Sequence, residues 1–135
     1  MPFETTGAPW IDGYELATEL NKLNIGGVIF RPLYYKPYYA TFKDEVCQGV
    51  QLHITDRKKF NSYVAGLHIM HTIMKLYPDH DLFANPDRIG TFCRVTGCNY
   101  IVNDLKAGLP VAEIQQKWQP ELDDFKKLRE NYLLY

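Results

Sequence analysis

Two pairs of neighbouring acidic residues, Asp44-Glu45 and Asp123-Asp124, are the first candidates for chemistry in this chain. Hydrolysis of a glycoside normally needs two carboxyl groups roughly 5 to 10 Å apart, one to protonate the leaving oxygen and one to attack or to activate water. Side chains that follow each other in sequence point in different directions, so neither pair meets that need. We interpret both pairs as solvated surface acids and predict no catalytic residue in this chain.

Histidines and cysteines are the next candidates, as ligands of a metal ion. His68 and His71 lie three residues apart, a spacing that can present two imidazoles to one metal. Cys93 and Cys98 lack the short Cys-x-x-Cys hook, and the sequence contains no His-Glu-x-x-His motif. Core or surface histidines are therefore the favoured interpretation, and we predict no metal and no cofactor. A bridge between Cys93 and Cys98 stays open.

The polar side chains of one predicted strand and one aromatic ring stand out from this background. Gln51, His53 and Thr55 would share one face of the strand, and Trp10 is a large ring in a loop of small residues. Sugars bind by stacking on aromatic rings while hydrogen-bonding side chains fix their hydroxyls. Each feature taken singly is more often structural. Cys47 and His53 could be imagined as nucleophile and base, but a buried thiol is the commoner role.

The first of the elements that would position these groups is a helix at residues 12–23. Its leucines recur at spacings of four and three, which marks one helical face. Asp12 is the expected N-cap, and Glu15 can reach back to the same turn. Residues 7–10 are expected to form a tight loop that carries Trp10.

Two strands are predicted next, at residues 28–31 and 49–55. Pro32 would end the first strand. The second alternates, so that its polar face lies opposite three apolar residues expected to face inward. Those inward residues are Val50, Leu52 and Ile54. The segment between the strands, residues 33–48, is too rich in aromatic residues for a plain linker and is expected to pack on another surface.

The remainder of the chain predicts four more helices, at residues 57–76, 99–107, 110–118 and 120–132. Asp56 is the expected N-cap of the long helix, and residues 79–91 are expected to be loop. The residues on or near the inner face of the long helix are Phe60, Val64, Leu67, His71 and Met74. One stripe of the last helix carries Leu122, Phe125, Leu128 and Tyr132. The predicted class is α/β (α+β), a small sheet packed with about five helices in a single domain.

Composition excludes several classes of function. The 135 residues carry 15 basic and 16 acidic side chains, for a net charge of -1, and the charges are scattered. That balance predicts neither a nucleic-acid footprint nor an anionic-membrane patch. No stretch approaches the roughly 18 to 20 apolar residues of a membrane span, and the first residues lack a signal-peptide pattern. Three cysteines are too few for a disulfide framework, so the redox compartment stays open.

Four irregular motifs follow one another along the sequence. They are Gly7-Ala8-Pro9-Trp10-Ile11-Asp12-Gly13, Phe30-Arg31-Pro32, Cys47-Gln48-Gly49-Val50-Gln51-Leu52-His53-Ile54-Thr55-Asp56 and Tyr132-Leu133-Leu134-Tyr135. In order and spacing they resemble the C-terminal half of the NamZ-type exo-β-N-acetylmuramidase family, a bacterial family long catalogued only as a conserved domain of unknown function. The resemblance spans nearly the whole chain.

The resemblance implies an exo-acting hydrolase that releases N-acetylmuramic acid from the non-reducing ends of peptidoglycan fragments during cell-wall turnover and recycling. It also implies a larger Rossmann-like catalytic domain before this one, with the active-site cleft between the two. Residues 1–135 are therefore expected to be the C-terminal domain, separated at Met1 from the family's Gly-Arg-Gly-Thr segment by truncation or by a split gene. The implied partners are a peptidoglycan-derived glycan and the N-terminal domain, and the parent is expected to be periplasmic or secreted.

Trp10, Arg31 and His53 are the candidate substrate-binding residues on this domain's wall of the cleft. Muramic acid differs from glucosamine by a lactyl carboxylate, which the guanidinium fork of Arg31 can bind in two places. The alternative for Arg31 is a structural salt bridge beside Pro32. The alternatives for the whole chain are a non-catalytic module that binds peptidoglycan or another protein, and a purely structural domain.

Overall fold

A computed structural model describes residues 4–39 and 41–133, and the chain divides into two compact units, Met1–Asp81 and Leu82–Tyr135. The last two residues of the terminal Tyr-Leu-Leu-Tyr motif lie outside the described residues. The elements, in chain order, are β1 (Thr5–Ala8), α1 (Gly13–Lys22), β2 (Val28–Tyr35), β3 (Cys47–Ile54), α2 (Ser62–Leu76), α3 (Pro86–Thr96), α4 (Tyr100–Lys106) and α5 (Val111–Glu130).

The first unit is built on a three-stranded antiparallel sheet in the order β1-β3-β2. The central strand is β3, where Gln51 pairs with Thr5 on one side and with Arg31 on the other. Strand β1 was not predicted, because residues 7–10 were expected to form a loop. Its pairing with β3 explains the extended backbone there, and only the turn after Ala8 matches the loop expectation.

Two glycines allow β1 to approach β3 closely. Gly7 and Gly49 are register partners, and a Cβ at Gly49 would collide with the backbone oxygen of Thr6. The hydroxyl of Tyr35 donates a hydrogen bond to the carbonyl of Gly7 at 3.2 Å. Since Tyr35 is on β2, its side chain must reach across β3 to make that bond, and a glycine at position 49 leaves room for it.

Strand β2 continues through Pro32 to Tyr35, so the expected end at Pro32 is wrong. The reason is the position of β2 at the edge of the sheet. The side-chain amide of Asn21 donates to the carbonyl of Phe30 at 2.8 Å, and its oxygen accepts from the Phe30 amide at 2.9 Å. The backbone of Phe30 therefore faces away from β3. Pro32, two residues on, faces the same way, and its missing N–H removes no bond to β3.

Helix α1 covers the even-numbered face of the sheet and begins as predicted. Asp12 is its N-cap, and the Asp12 carboxylate accepts from the amides of Tyr14 and Glu15. The side chains of α1 that pack toward the sheet are fully or almost fully buried, as are their partners on the strands. These core residues are Leu16, Ala17, Leu20, Val28, Phe30 and Val50.

The inward face of β3 was only partly predicted. Val50 is fully buried and Leu52 is half-buried, but Ile54 is 51% exposed, because it lies at the end of the strand. On the other face, the polar side chain of Gln51 is only 4% exposed. Gln51 lies in the central strand between two neighbours, and its amide is hydrogen bonded on both sides.

Helix α2 starts at Ser62, not at Arg57 as predicted. Asp56 does cap a turn, since its carboxylate accepts from the amide of Lys58 at 2.9 Å. The amides of Lys59 and Phe60 donate to the carbonyl of Asp56, and this turn ends before the helix begins. Asn61 is the N-cap of the helix and accepts from Val64. Of the expected inner face, Leu67 is buried and the other four residues are half-buried. The buried residues of α2 are Ala65, Leu67, Ile69, Thr72 and Ile73.

The second unit contains three helices among its described residues, and their boundaries differ from those predicted from the sequence. Residues 79–91 were expected to be loop, but α3 begins at Pro86 with Asn85 as its N-cap. The two helices predicted on either side of Pro120 are one helix, α5, with that proline inside it. Helix α4 lies where predicted, and Gly108 follows it with a φ of 72°.

The core of the second unit is small and mostly aliphatic. It consists of Phe83, Ile101, Val102, Leu105, Val111 and Ile114. Asp104, 9% exposed, accepts two contacts of 2.7 Å from the ammonium group of Lys117, whose charge also lies 5.5 Å from the ring centre of Tyr100. The pair neutralises a carboxylate that would be expensive to bury alone.

The fold class is confirmed as a small sheet with five helices in the described part of the chain. In the aromatic segment at residues 33–48, Tyr34, Tyr38 and Tyr39 are 56%, 86% and 77% exposed, so for these three rings the expected packing stays a prediction. The apolar stripe of α5 is exposed as well, with Phe125 at 58%. None of the described helices is both long enough and apolar enough to span a membrane.

Candidate functional site

A pocket of about 620 Å³ opens in the first unit between β1, the end of β3 and one face of α2. The strands contribute Glu4, Thr5, Thr6, Leu52, His53 and Ile54, and the turn and helix that follow contribute Arg57, Phe60, Ser62, Gly66, Ile69 and Met70. A Cβ at Gly66 would meet no other atom within 4 Å, so the helix face is open at that point. The volume lies within the range of small-molecule sites.

His53 gives this pocket its chemical character. Its Nε2 atom is buried and has no hydrogen-bond partner among the residues that the structure describes. A buried polar atom left unpaired costs about 1 to 3 kcal/mol, so such an atom in a folded protein needs an explanation. His53 is also one of the residues that line the pocket.

The rest of the lining suits a ligand with both polar and apolar faces. Arg57 brings a guanidinium that has no ion-pair partner among residues 4–39 and 41–133. Ser62 and two threonines bring hydroxyls, and Phe60 brings an aromatic ring. Polar groups around an apolar floor with one ring are typical of carbohydrate sites.

Arg31 lies on the same sheet face as His53 but does not line the pocket. Its Nη2 donates to Oε1 of Gln51 at 2.8 Å, and Nε2 of Gln51 lies 3.5 Å from Oε2 of Glu4. The partner of Arg31 is thus a buried amide, whereas the structural alternative had been a salt bridge. Its side chain is exposed, and four further N–H donors remain on a guanidinium that uses one.

Trp10 lies elsewhere in the first unit. It follows the far end of β1, roughly 10 Å or more along the strand from the pocket end at Thr5. Its half-buried ring stacks on His80 with centroids 4.1 Å apart and planes 5° apart, and meets the edge of Tyr77 at 5.6 Å. The structure therefore brings Arg31 and His53 to one face and leaves Trp10 in a second cluster.

In the second cluster, the hydroxyl of Tyr77 binds two groups at the start of α1. That oxygen accepts from the amide of Asp12 at 3.0 Å and lies 3.0 Å from Oε2 of Glu15. Glu15 was predicted to reach back to the helix start, but the hydroxyl of Tyr77 takes that place at the Asp12 amide, and Glu15 accepts from the hydroxyl instead. Burial is the main reason that the pKa of Tyr77 rises to about 12, and the nearby Glu15 carboxylate adds to it.

The remaining chemical candidates do not converge. Cys47 and His53 are six residues apart on one strand, roughly 20 Å, so they cannot act together. Burial raises the pKa of the Cys47 thiol, and Glu45 raises it further, which is the wrong direction for a nucleophile. Burial lowers the pKa of His68, and the neighbouring His71 adds to that effect.

Arg57 and Phe60 were not singled out as site residues from the sequence. Residue 57 was assigned to the start of the long helix, and Phe60 to the inner face of that helix. The turn at residues 56–60 places both beside His53, and it packs against Gly27, whose φ is 76°. In the sequence, the adjacent glycines Gly26 and Gly27 before β2 were the signal for such a turn.

Comparison with known proteins adds the family. The model of the family described as "Exo-beta-N-acetylmuramidase NamZ, C-terminal" matches residues 1–135. The peptidoglycan beta-N-acetylmuramidase NamZ of Bacillus subtilis (strain 168) is 37% identical over 134 residues, which are 99% of this chain and 32% of that protein. The crystal structure of a DUF1343 family protein from Bacteroides fragilis NCTC 9343 matches with a TM-score of 0.93 and 35% identity, covering 99% of this chain and 35% of the other. The chain thus spans about a third of the length of these relatives.

Proposed function

Because this chain belongs to the family of NamZ C-terminal domains, we propose that it is the C-terminal domain of an exo-β-N-acetylmuramidase. The reaction proposed for the parent protein is release of N-acetylmuramic acid from the non-reducing ends of peptidoglycan fragments. The muramidase name of the Bacillus subtilis relative supports this reading. We also propose an N-terminal partner domain and a periplasmic or secreted parent.

The pocket beside His53 is proposed as this domain's wall of the active-site cleft. The observation that carries the proposal is Nε2 of His53, which is buried and has no partner among the described residues, in the lining of a pocket of about 620 Å³. N-acetylated sugars offer hydroxyl and acetamido groups that can donate to, or accept from, an imidazole nitrogen. Their apolar ring faces and methyl groups fit the side of the pocket formed by Phe60, Ile69 and Met70.

The domain is proposed to bind the sugar and to leave bond cleavage to its partner. Two carboxyl groups are needed for glycoside hydrolysis, and among the described residues Glu4 is the carboxylate that lines the pocket. We therefore propose that the catalytic carboxylates, or at least the second one, belong to the N-terminal domain.

Arg31 and Trp10 are kept as proposed glycan contacts outside the pocket itself. Arg31 faces solvent beside Gln51, where it can meet parts of a glycan that extend past His53. Trp10 would form a separate contact, because it lies beyond the far end of β1. His80 covers one face of its ring, so a sugar would have to bind the other face. In the parent, Trp10→Ala should then weaken substrate use without unfolding the protein, as measured by kcat/KM and by thermal melting.

A nuclear magnetic resonance titration tests the pocket directly. The isotope-labelled chain is titrated with a disaccharide that carries N-acetylmuramic acid at its non-reducing end. The imidazole of His53 and the amides of Gly66 and Met70 should shift together and saturate. The signals of Val95, on α3 in the other unit, serve as the control and should stay in place. Saturating shifts confined to other surfaces, or none at millimolar sugar, would contradict the proposal and favour a structural domain.

A further inference from the structure

The pocket lining contains a second polar group without a partner among the described residues, the guanidinium of Arg57. We infer that Arg57, and not Arg31, is the residue that recognises the lactyl carboxylate and so makes the site selective for muramic acid over glucosamine. This inference rests on the proposed function, because it assumes that the pocket takes the sugar.

The two arginines differ in where they lie and in what they already bind. Arg31 has its Nη2 engaged with the buried amide of Gln51 at 2.8 Å and does not line the pocket. Arg57 lines the pocket and has no ion-pair or hydrogen-bond partner among the described residues. A free guanidinium at a pocket rim can present two parallel N–H groups to a carboxylate.

The acidic side chains near Arg57 are engaged with other groups, so its guanidinium is available to a ligand. The nearest acid in sequence, Asp56, binds the amide of Lys58 with one oxygen and lies 3.5 Å from the ammonium of Lys59 with the other. Glu4, the carboxylate of the pocket lining, is in contact with Gln51 at 3.5 Å. Among the described residues, the guanidinium of Arg57 and Nε2 of His53 are therefore two groups without partners on residues that line the same pocket.

Together these groups match one feature that muramic acid shares with neutral N-acetylated aminosugars and one feature that sets it apart from them. The acetamido or hydroxyl groups that all N-acetylated aminosugars carry would bind Nε2 of His53, and the carboxylate that only muramic acid carries would bind Arg57. Loss of the arginine should then reduce selectivity and leave the common part of binding intact, since the pocket floor and His53 are unchanged.

The test measures the affinity of the chain for three small probes by resonance titration. They are the methyl β-glycoside of N-acetylmuramic acid, the methyl ester of its lactyl carboxylate, and the methyl β-glycoside of N-acetylglucosamine. The wild-type chain should prefer the free acid over both others by about tenfold, as expected for a charge-assisted pair at a solvent-accessible rim. Arg57→Gln should bring all three affinities together, and Arg57→Lys should retain part of the preference.

Arg31→Gln tests the rival assignment of the carboxylate, and Lys58→Gln, which removes a positive charge from the same turn outside the pocket lining, is the matched control that should keep the tenfold preference. If the preference for the free acid survives in Arg57→Gln, or disappears in Arg31→Gln, the inference about Arg57 is wrong. The proposal that the pocket binds the sugar is not affected by either result. If the wild-type chain binds none of the three probes, the proposed pocket fails and the inference fails with it. The preference is a ratio within one variant, so a general loss of stability cannot imitate the expected result.

Discussion

At the scale of single residues, the hydroxyl of Tyr77 is the clearest case of one atom holding two segments together. It accepts from the amide of Asp12 at the start of α1 and contacts Glu15 in the first turn. Tyr77→Phe should therefore lower the free energy of unfolding by about 1 kcal/mol, since the Asp12 amide loses its partner. Urea unfolding measures this, with Tyr38→Phe, at an 86% exposed position, as the control. Equal stability of Tyr77→Phe and wild type would show that water replaces the hydroxyl at no cost.

The same residue predicts a dependence on alkaline pH. The pKa of Tyr77 rises from its ordinary value of 10.0 to about 12 in the folded chain, mainly through burial. Between these values the unfolded chain has lost the proton and the folded chain still holds it, so stability falls as pH rises through this window. The loss from pH 10 to 12 should be smaller in Tyr77→Phe than in wild type. Parallel curves for the two proteins would contradict the assignment.

At the scale of elements, the close pairing of β1 with β3 depends on Gly49. A Cβ there would collide with the backbone of Thr6, whereas a Cβ at Gly90, within α3, would meet nothing within 4 Å. Gly49→Ala should therefore destabilise the fold by more than about 2 kcal/mol. Gly90→Ala should stabilise it by about 0.5 to 1 kcal/mol, because alanine is the better helix former. Chemical unfolding measures the free energy of unfolding of both variants. A loss well below about 2 kcal/mol in Gly49→Ala would mean that β1 can shift away from β3 at little cost.

The elements also show what a sequence can and cannot predict. Local signals were sufficient where a cap and a stop flank a short helix, as for α1 with Asp12 and α4 with Gly108. They failed at Pro32, which is harmless only because β2 is an edge strand, and an edge is a property of the whole sheet. They failed again at Pro120, which α5 accommodates within one helix. For α3 the signal was present in Asn85, the N-cap, with proline next.

The candidate site was predictable only in part for the same reason. His53 was recognised because strand alternation put a polar side chain on one face. Its neighbours Arg57 and Phe60 come from a turn whose position depends on packing against Gly27, and helix periodicity assigned that turn to α2. Trp10 was grouped with His53 because both looked suited to sugars, but β1 carries the chain away from the pocket before Trp10 is reached.

At the scale of the whole molecule, the chain should fold by itself and yet release no N-acetylmuramic acid from a chromogenic muramide. The reason is that a carboxylate pair suited to glycoside hydrolysis is not found in its pocket, where Glu4 is the acid among the described residues. The full-length Bacillus subtilis relative, assayed under the same conditions, is the positive control. Clear turnover by the pure chain would show that the catalytic groups lie within these 135 residues.

The central claim is that His53 belongs to the sugar-binding wall of a muramidase cleft, and kinetics of the full-length parent test it most directly. His53→Phe keeps an aromatic ring and removes both nitrogens, so the cost of burying Nε2 disappears and the protein should stay folded, with a melting temperature near that of wild type. Loss of one hydrogen bond to the bound sugar should lower kcat/KM for release of N-acetylmuramic acid by about tenfold or more, roughly 1.4 kcal/mol. Val95→Phe, at a position 79% exposed in the other unit, should leave kcat/KM unchanged. A folded His53→Phe protein with wild-type kinetics would contradict the account.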